Sequence, residues 1–232
     1  MCGRYRLKSV DEVTEWLGIP KPEGMLPRHN IAPTQRIFVL NGPRTLEPMQ
    51  WGFVPVWASE KGRPLINAKA ETVREKRSFK ASIETRRCLV PADGFYEWSM
   101  EGKRPYLFTM HGDKPFALAG MWEPGREGNR CCFLTTTPNA LLEPIHRRMP
   151  VILPEEEWEE WFSPHPLADE SFVRMTAPYP AGKMEATEVS TLVNNARMDD
   201  PRVWESGAGP EPRKPVTRKV KADRDEQGML PL

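Results

Sequence analysis

Long apolar runs are missing from this chain of 232 residues. No stretch approaches the roughly 18 apolar residues of a membrane span. The opening MCGRYRLKSVDE lacks the apolar centre of a secretory signal. Cysteine is scarce: Cys2, Cys88, Cys131 and Cys132 are the full set, two of them adjacent and none in a CxxC pair. That pattern argues against a disulfide framework and against a zinc site, so no metal is expected and the reducing cytoplasm is the expected setting. Excess charge of one sign is missing too. Lys and Arg total 33 against 32 Asp and Glu, a net charge of +1, so overall charge does not call for a nucleic-acid or membrane partner. No internal repeat is visible.

What the chain does have is proline, 25 residues of it, which favours turns and short elements over long helices. Hydrophobic residues at 39% supply one globular core. SVDEVTEWLG reads as a short helix, with Ser9 and Glu12 at capping-box spacing, Val13, Trp16 and Leu17 as its apolar face, and Gly18 as its stop. RIFVL (36–40) and LEPMQWGFVP (46–55) read as strands around the turn NGPR. Residues 67–87 read as helical for much of their length. Then come strand-like runs, CLVPADGFYEWSM, PYLFTM, FALAGMW and RCCFLTTT. TPNALLEPIH reads as a helix start with Thr137 as cap and Pro138 first, PVIL as a short strand, and PEEEWEEWF as an acidic helix burying Trp158, Trp161 and Phe162. Strands outnumber helices without alternating with them. The expectation is a single α+β domain around a curved, barrel-like, mostly antiparallel sheet, spanning 1–204, with 205–232 as a disordered polar tail.

Charge is locally uneven. From Lys61 to Arg87 there are nine basic residues and three acidic ones. Such a run is either a solvated face or a surface that neutralises phosphates.

Cys2 follows the initiator methionine. Loss of Met1, easy beside a small residue, would leave an α-amine titrating near ~8 and a thiol near ~8.5 on one carbon skeleton. A 1,2-aminothiol meeting an aldehyde forms an imine through nitrogen, and the sulfur then closes a five-membered thiazolidine. The plain alternative is an ordinary buried cysteine. Asn67, at a strand-to-helix junction, is either a cap or a hydrogen-bond partner for an amine or a sugar oxygen. Glu97, between Tyr96 and Trp98, is either a solvent-facing strand residue or a desolvated carboxyl with a raised pKa, suited to proton transfer. His146, at a helix end before two arginines, is either a structural or exposed histidine or a proton-transfer group beside an anionic ligand.

Taken together, MCGRY, NIAPTQ, MQWGFVPVW, INAKAET, ADGFYEW, FLTTTPN and IHRRMPVIL resemble the SOS response-associated peptidase family, the abasic-site processing proteins. The resemblance covers nearly all of 1–204. It implies a sensor of abasic sites in single-stranded DNA that links to them covalently. Cys2 matches the nucleophile, after loss of Met1. Asn67 matches the residue that orients the amine and the sugar, Glu97 the proton shuttle, and His146 the residue that helps open the deoxyribose ring. No cofactor is implied, because the electrophile belongs to the DNA. A monomer is expected, nucleoid-associated when bound to damage.

Candidate phosphate contacts are Arg4, Arg77 and Arg147 or Arg148. Trp51, Trp57 and Trp98 are candidate stacking or wedge residues, with core packing as the plain alternative for each, and Pro33 and Thr135 are candidate lining residues. The family's asparagine motif often reads NAR and here reads NAK, so Lys69 keeps the charge without the forked contact. The name peptidase fits removal of Met1, and a minor lyase activity through the imine fits the same group of residues. Two other readings stay open: a glutamine amidotransferase-like hydrolase with an N-terminal cysteine nucleophile, and a single-strand-binding module without chemistry.

Overall fold

The computed structural model describes residues 2–58 and 63–205. The tail expected at 205–232 therefore lies, save for Glu205, outside the described residues. The architecture is α+β, with strands grouped in two sheets. The first sheet is open and antiparallel throughout, in the order β13 (Met184–Glu188), β8 (Pro105–Met110), β7 (Gly94–Trp98), β1 (Arg4–Leu7) and β2 (Arg28–Ile31).

The second sheet closes on itself. β10 (Arg130–Thr136) pairs with β4 (Thr45–Trp51), β4 with β3 (Arg36–Gly42), β3 with β6 (Arg87–Ala92), β6 with β9 (Phe116–Glu123), and β9 again with β10. The ring of five strands is a barrel, antiparallel except where β10 meets β4, and closure removes its free edges. Three short strands extend it: β5 (Asn67–Lys69) lies parallel on β10, β11 (Met149–Pro150) antiparallel on β10, and β12 (Ile152–Leu153) antiparallel on β9.

Apolar aromatics fill the space between the sheets. Trp51 stacks on Phe133 with ring centroids 4.4 Å apart, and Tyr5 of β1 packs edge-on against both at 5.7 and 5.8 Å. Cys88, Cys131 and Cys132 are buried free thiols on the barrel strands. Gly120 is required where β9 crosses β10, because a Cβ there would lie 2.6 Å from the Cys132 carbonyl oxygen.

The helices are short: α1 (Val10–Leu17), α2 (Lys80–Thr85), α3 (Trp158–Trp161) and α4 (Asp169–Met175). α1 ends as expected on Gly18 in the left-handed region. Its start differs, since Ser9 makes no capping bond. The buried carboxylate of Asp93, at the β6–β7 corner, accepts instead from the Lys8 and Ser9 amides at 2.6 and 2.9 Å. The same carboxylate pairs with buried Arg6 at 2.6 Å. A remote acid thus replaces the local box.

Two helical expectations fail. Of 67–87 only α2 and one 3-10 turn at Ala70–Thr72 are helical, because β10 recruits Asn67–Lys69 as a strand. After β10 the chain forms turns over 140–145 in place of a helix. Asn139, not Thr137, accepts from the Leu141 and Leu142 amides, and Pro144 cannot continue a helical ladder. In the acidic segment Trp161 is fully buried, while Trp158 and Phe162 are half-buried against the core.

Candidate active site at the seam of the two sheets

β1 pairs with β7 in the register Arg4 to Tyr96, so the residues before β1 run toward the Glu97 end of β7. On β7 the side chains alternate. Phe95 joins the main core and Tyr96 a second cluster on the opposite face, which turns Glu97 inward with Phe95. Glu97 is only 2% exposed, which rules out the solvent-facing alternative. Burial raises its carboxyl from 4.5 to about 7.

Cys2 is buried beside it. Its thiol donates to the Arg4 carbonyl at 3.8 Å and is pushed up, first by burial and then by the Glu97 charge. Asn67 opens β5 on the barrel side. Its Nδ2 donates to the Cys2 carbonyl at 2.7 Å, while its Oδ1 is buried without a hydrogen-bond partner. That acceptor points to an N–H or O–H donor in this space.

His146 comes from the turn between β10 and β11, with Nδ1 3.8 Å from Glu97 Oε2 and 3.1 Å from the Arg148 amide. Burial holds its imidazole below the ordinary value, against the Arg148 main chain, which favours the charged form. Residues 2, 67, 97 and 146 therefore converge where the open sheet meets the barrel. Two come from each side of that seam.

The other sequence candidates divide. Arg4 is half-buried 6.0 Å from the ring of half-buried Trp98. Trp57 is 54% exposed, with the exposed Arg77 guanidinium 4.8 Å from its ring. Lys69 and Arg147 are exposed, and Pro33 is half-buried. Trp51 is corrected: it is fully buried, its indole N–H held by the Ile66 carbonyl at 3.0 Å, so it packs the core and offers no stacking face.

Arg148 is committed within the fold as well. It makes a two-pronged pair with Glu71 at 2.5 and 2.9 Å and donates to the Thr135 carbonyl. That pair holds Glu71 below the usual carboxylate range. Thr135 is buried, its hydroxyl on the Ala68 carbonyl at 3.4 Å. Arg148 and Thr135 thus brace the His146 turn against β5. Sequence reading overlooked Glu71, although it sits inside INAKAET. A carboxylate two residues from a basic motif position was the available signal.

Among the described residues no group of three or more His, Cys, Asp or Glu is placed to hold a metal ion. No helix among them is long and apolar enough to cross a membrane. Fold and site together define a class: a small α+β protein whose second residue, a cysteine, shares a closed site with an amide, a buried carboxyl and an imidazole.

The chain belongs to the SOS response associated peptidase (SRAP) family, whose model matches residues 1–196. It is 39% identical to the abasic site processing protein YoqW of Bacillus subtilis, over 89% of this chain and 100% of that one. It is 37% identical to the abasic site processing protein YobE of the same organism, over 85% and 98%. A crystal structure of a protein from Bacteroides thetaiotaomicron shares the fold at a TM-score of 0.78 and 25% identity, over 89% of this chain and 100% of that one.

Proposed function

We propose that this protein processes abasic sites in single-stranded DNA by forming a thiazolidine between Cys2 and the ring-opened sugar aldehyde. The observation that carries the reading is the meeting of Cys2, Asn67, Glu97 and His146, drawn from four separate segments, in a family whose relatives are named for abasic site processing.

The sequence of events starts with hydrolysis of the Met1–Cys2 peptide bond. The freed Cys2 amine adds to C1′ of the aldehyde and gives a carbinolamine. Loss of water gives an imine. The thiol sulfur then bonds to the imine carbon, and its proton passes to the nitrogen. One water leaves for each crosslink formed.

Each side chain has a matching task. Glu97, raised to about 7, is divided between its acid and carboxylate forms near neutral pH, so it can both give and take a proton there. It can protonate the departing hydroxyl and take the thiol proton. Asn67 holds the Cys2 carbonyl, and its unpartnered Oδ1 can accept from the amine or a sugar hydroxyl. His146, 3.8 Å from the Glu97 carboxyl, serves the sugar oxygens during ring opening.

Cys2 is buried, and removal of Met1 is the step that frees its α-amine for the aldehyde. Removal of Met1 supplies the peptidase part of the reading, and a minor lyase activity follows if the imine eliminates before the ring closes. Phosphates meet the exposed Arg77, Lys69 and Arg147 and the half-buried Arg4, and bases stack on exposed Trp57 and half-buried Trp98.

The test is a denaturing gel of protein mixed with a single-stranded oligonucleotide bearing one abasic site. The native chain is expected to give a denaturation-resistant band that Cys2→Ser loses while still binding undamaged strand. A band that survives Cys2→Ser overturns the reading.

A further inference from the structure

Beyond β13 the chain returns across the outer face of the open sheet. Val189, Val193 and Val203 form a small core there with Tyr96 and Leu107, and Trp98, Leu192, Met198 and Trp204 pack against it. The amide of buried Asn30 on β2 fixes this returning segment, donating to the carbonyls of Val193, Asn195 and Met198 at 3.2, 3.0 and 2.8 Å. Asp199 is gripped by the β2 amides of His29 and Asn30 at 2.6 and 2.9 Å.

A segment held this firmly can position whatever it touches, and it touches two residues next to the site. The Val193 carbonyl accepts from the Arg4 guanidinium at 2.6 Å. The Asn194 side-chain oxygen accepts from the Trp98 indole N–H at 2.6 Å. Trp98 directly follows Glu97, and Arg4 lies two residues from Cys2. Asn194 itself is exposed and belongs to neither apolar cluster. Its side chain therefore has one evident task. A half-exposed indole left to itself samples several ring orientations, whereas a hydrogen bond at the ring edge selects one plane.

We propose that Asn194 is a positioning residue: by holding the Trp98 N–H it fixes the indole beside Arg4 as a face for the nucleobase adjoining the abasic position. The inference rests on the single-strand reading above. It extends the site to a segment more than forty residues beyond His146 that supplies no reacting group.

The experiment uses the full chain and the variants Asn194→Leu, Trp98→Phe and their combination. Trp98→Phe keeps an aromatic face and removes the N–H. One arm measures equilibrium binding of an undamaged single-stranded oligonucleotide. The other measures covalent capture of the abasic oligonucleotide across concentrations.

Asn194→Leu is expected to weaken undamaged-strand binding and to raise the half-saturating concentration for capture, each by about five- to tenfold, a part of the full effect of one base–aromatic stack. The saturated capture rate is expected to move far less. In the Trp98→Phe background the same change is expected to add less than twofold. Additive losses, a loss confined to the saturated rate, or native-like binding by Asn194→Leu would each overturn the inference. If the native chain captures nothing, the function reading fails, and the undamaged-strand arm still judges Asn194.

Discussion

The barrel is built from strands of 6 to 8 residues and the open sheet from strands of 4 to 6, and although both bury charge they place it differently. The barrel strands enclose Cys88, Cys131, Cys132, Leu134 and Phe133, and their buried charged groups, Arg87 at the start of β6 and Glu123 at the end of β9, are tied to the Trp161 carbonyl and to Arg86. The open sheet buries Arg6, Asp93 and Glu97. Arg6 and Asp93 are paired and brace the β6–β7 corner. Glu97 instead lies against Cys2 and His146. The difference teaches where each property resides. The two sheets share one apolar core, the buried charges of the barrel are tied off, and the open sheet holds an inward carboxyl at a raised pKa beside Cys2. The site falls on the line where the two meet, with Asn67 and His146 contributed from the barrel side.

The sharpest break in this comparison is Glu97→Gln. It leaves the shape of the site and removes the transferable proton. The capture rate is expected to fall about 10²- to 10⁴-fold, the usual range for a lost acid–base group. Single-turnover capture under saturating abasic oligonucleotide checks it, and a drop of less than tenfold would place proton transfer elsewhere.

The same variant tests the burial of Glu97 through stability. The folded-state value of about 7 exceeds the ordinary 4.5, so the folded state binds more protons than the unfolded one between those values. Stability from this group is therefore full below about pH 4.5, falls as pH rises toward 7, and stays low above. At pH above 7 Glu97→Gln is expected to be more stable than the native chain by about 3 kcal/mol. Urea melts across pH read it directly, and parallel pH profiles for the two proteins would contradict it.

Gly120→Ala probes the other region. The added Cβ would press on the Cys132 carbonyl at 2.6 Å and on the Cys88 sulfur at 3.3 Å. A stability loss of about 1–3 kcal/mol is expected, seen as a lower thermal midpoint. Capture well below that midpoint should persist, because no reacting group has moved. Loss of capture in a fully folded Gly120→Ala protein would dissolve the division between the regions.

The smallest effect belongs to the brace between them. Glu71→Ala releases Arg148, which holds the His146 turn. The pair is partly exposed, so the stability change should stay within about 1 kcal/mol. Capture should slow modestly, and the matching variant Glu71→Gln, which retains an acceptor, should recover part of the rate.

How legible was this in the sequence? The strand-rich, barrel-like α+β class followed from runs such as FALAGMW and RCCFLTTT, because apolar β-forming stretches bounded by turns have few other fates. The four residues at the seam came from a constellation of short motifs. Their separate patterns left each of them ambiguous. Glu97 shows why: an alternating strand declares two faces, and only the sheet order says which face is buried. Trp51 was misread for a related reason. An indole in a strand looks alike whether it stacks on Phe133 or on a base. The capping of α1 by Asp93 and the bracing of Trp98 by Asn194 join residues about a hundred positions apart or nearly so, and local periodicity carries no record of such contacts. The helix expected across 67–87 fell to tertiary pairing, since β10 claims its first three residues.

The central claim is that a bare aminothiol at position 2 traps a carbonyl carbon at this seam. Intact mass spectrometry after mixing the purified chain with a uracil-glycosylase-treated single-stranded oligonucleotide tests it in one spectrum. The account predicts a species equal to the chain without Met1 plus the oligonucleotide less one water. A chain that keeps Met1, or one that loses it and stays unmodified beside intact abasic DNA, would contradict the account.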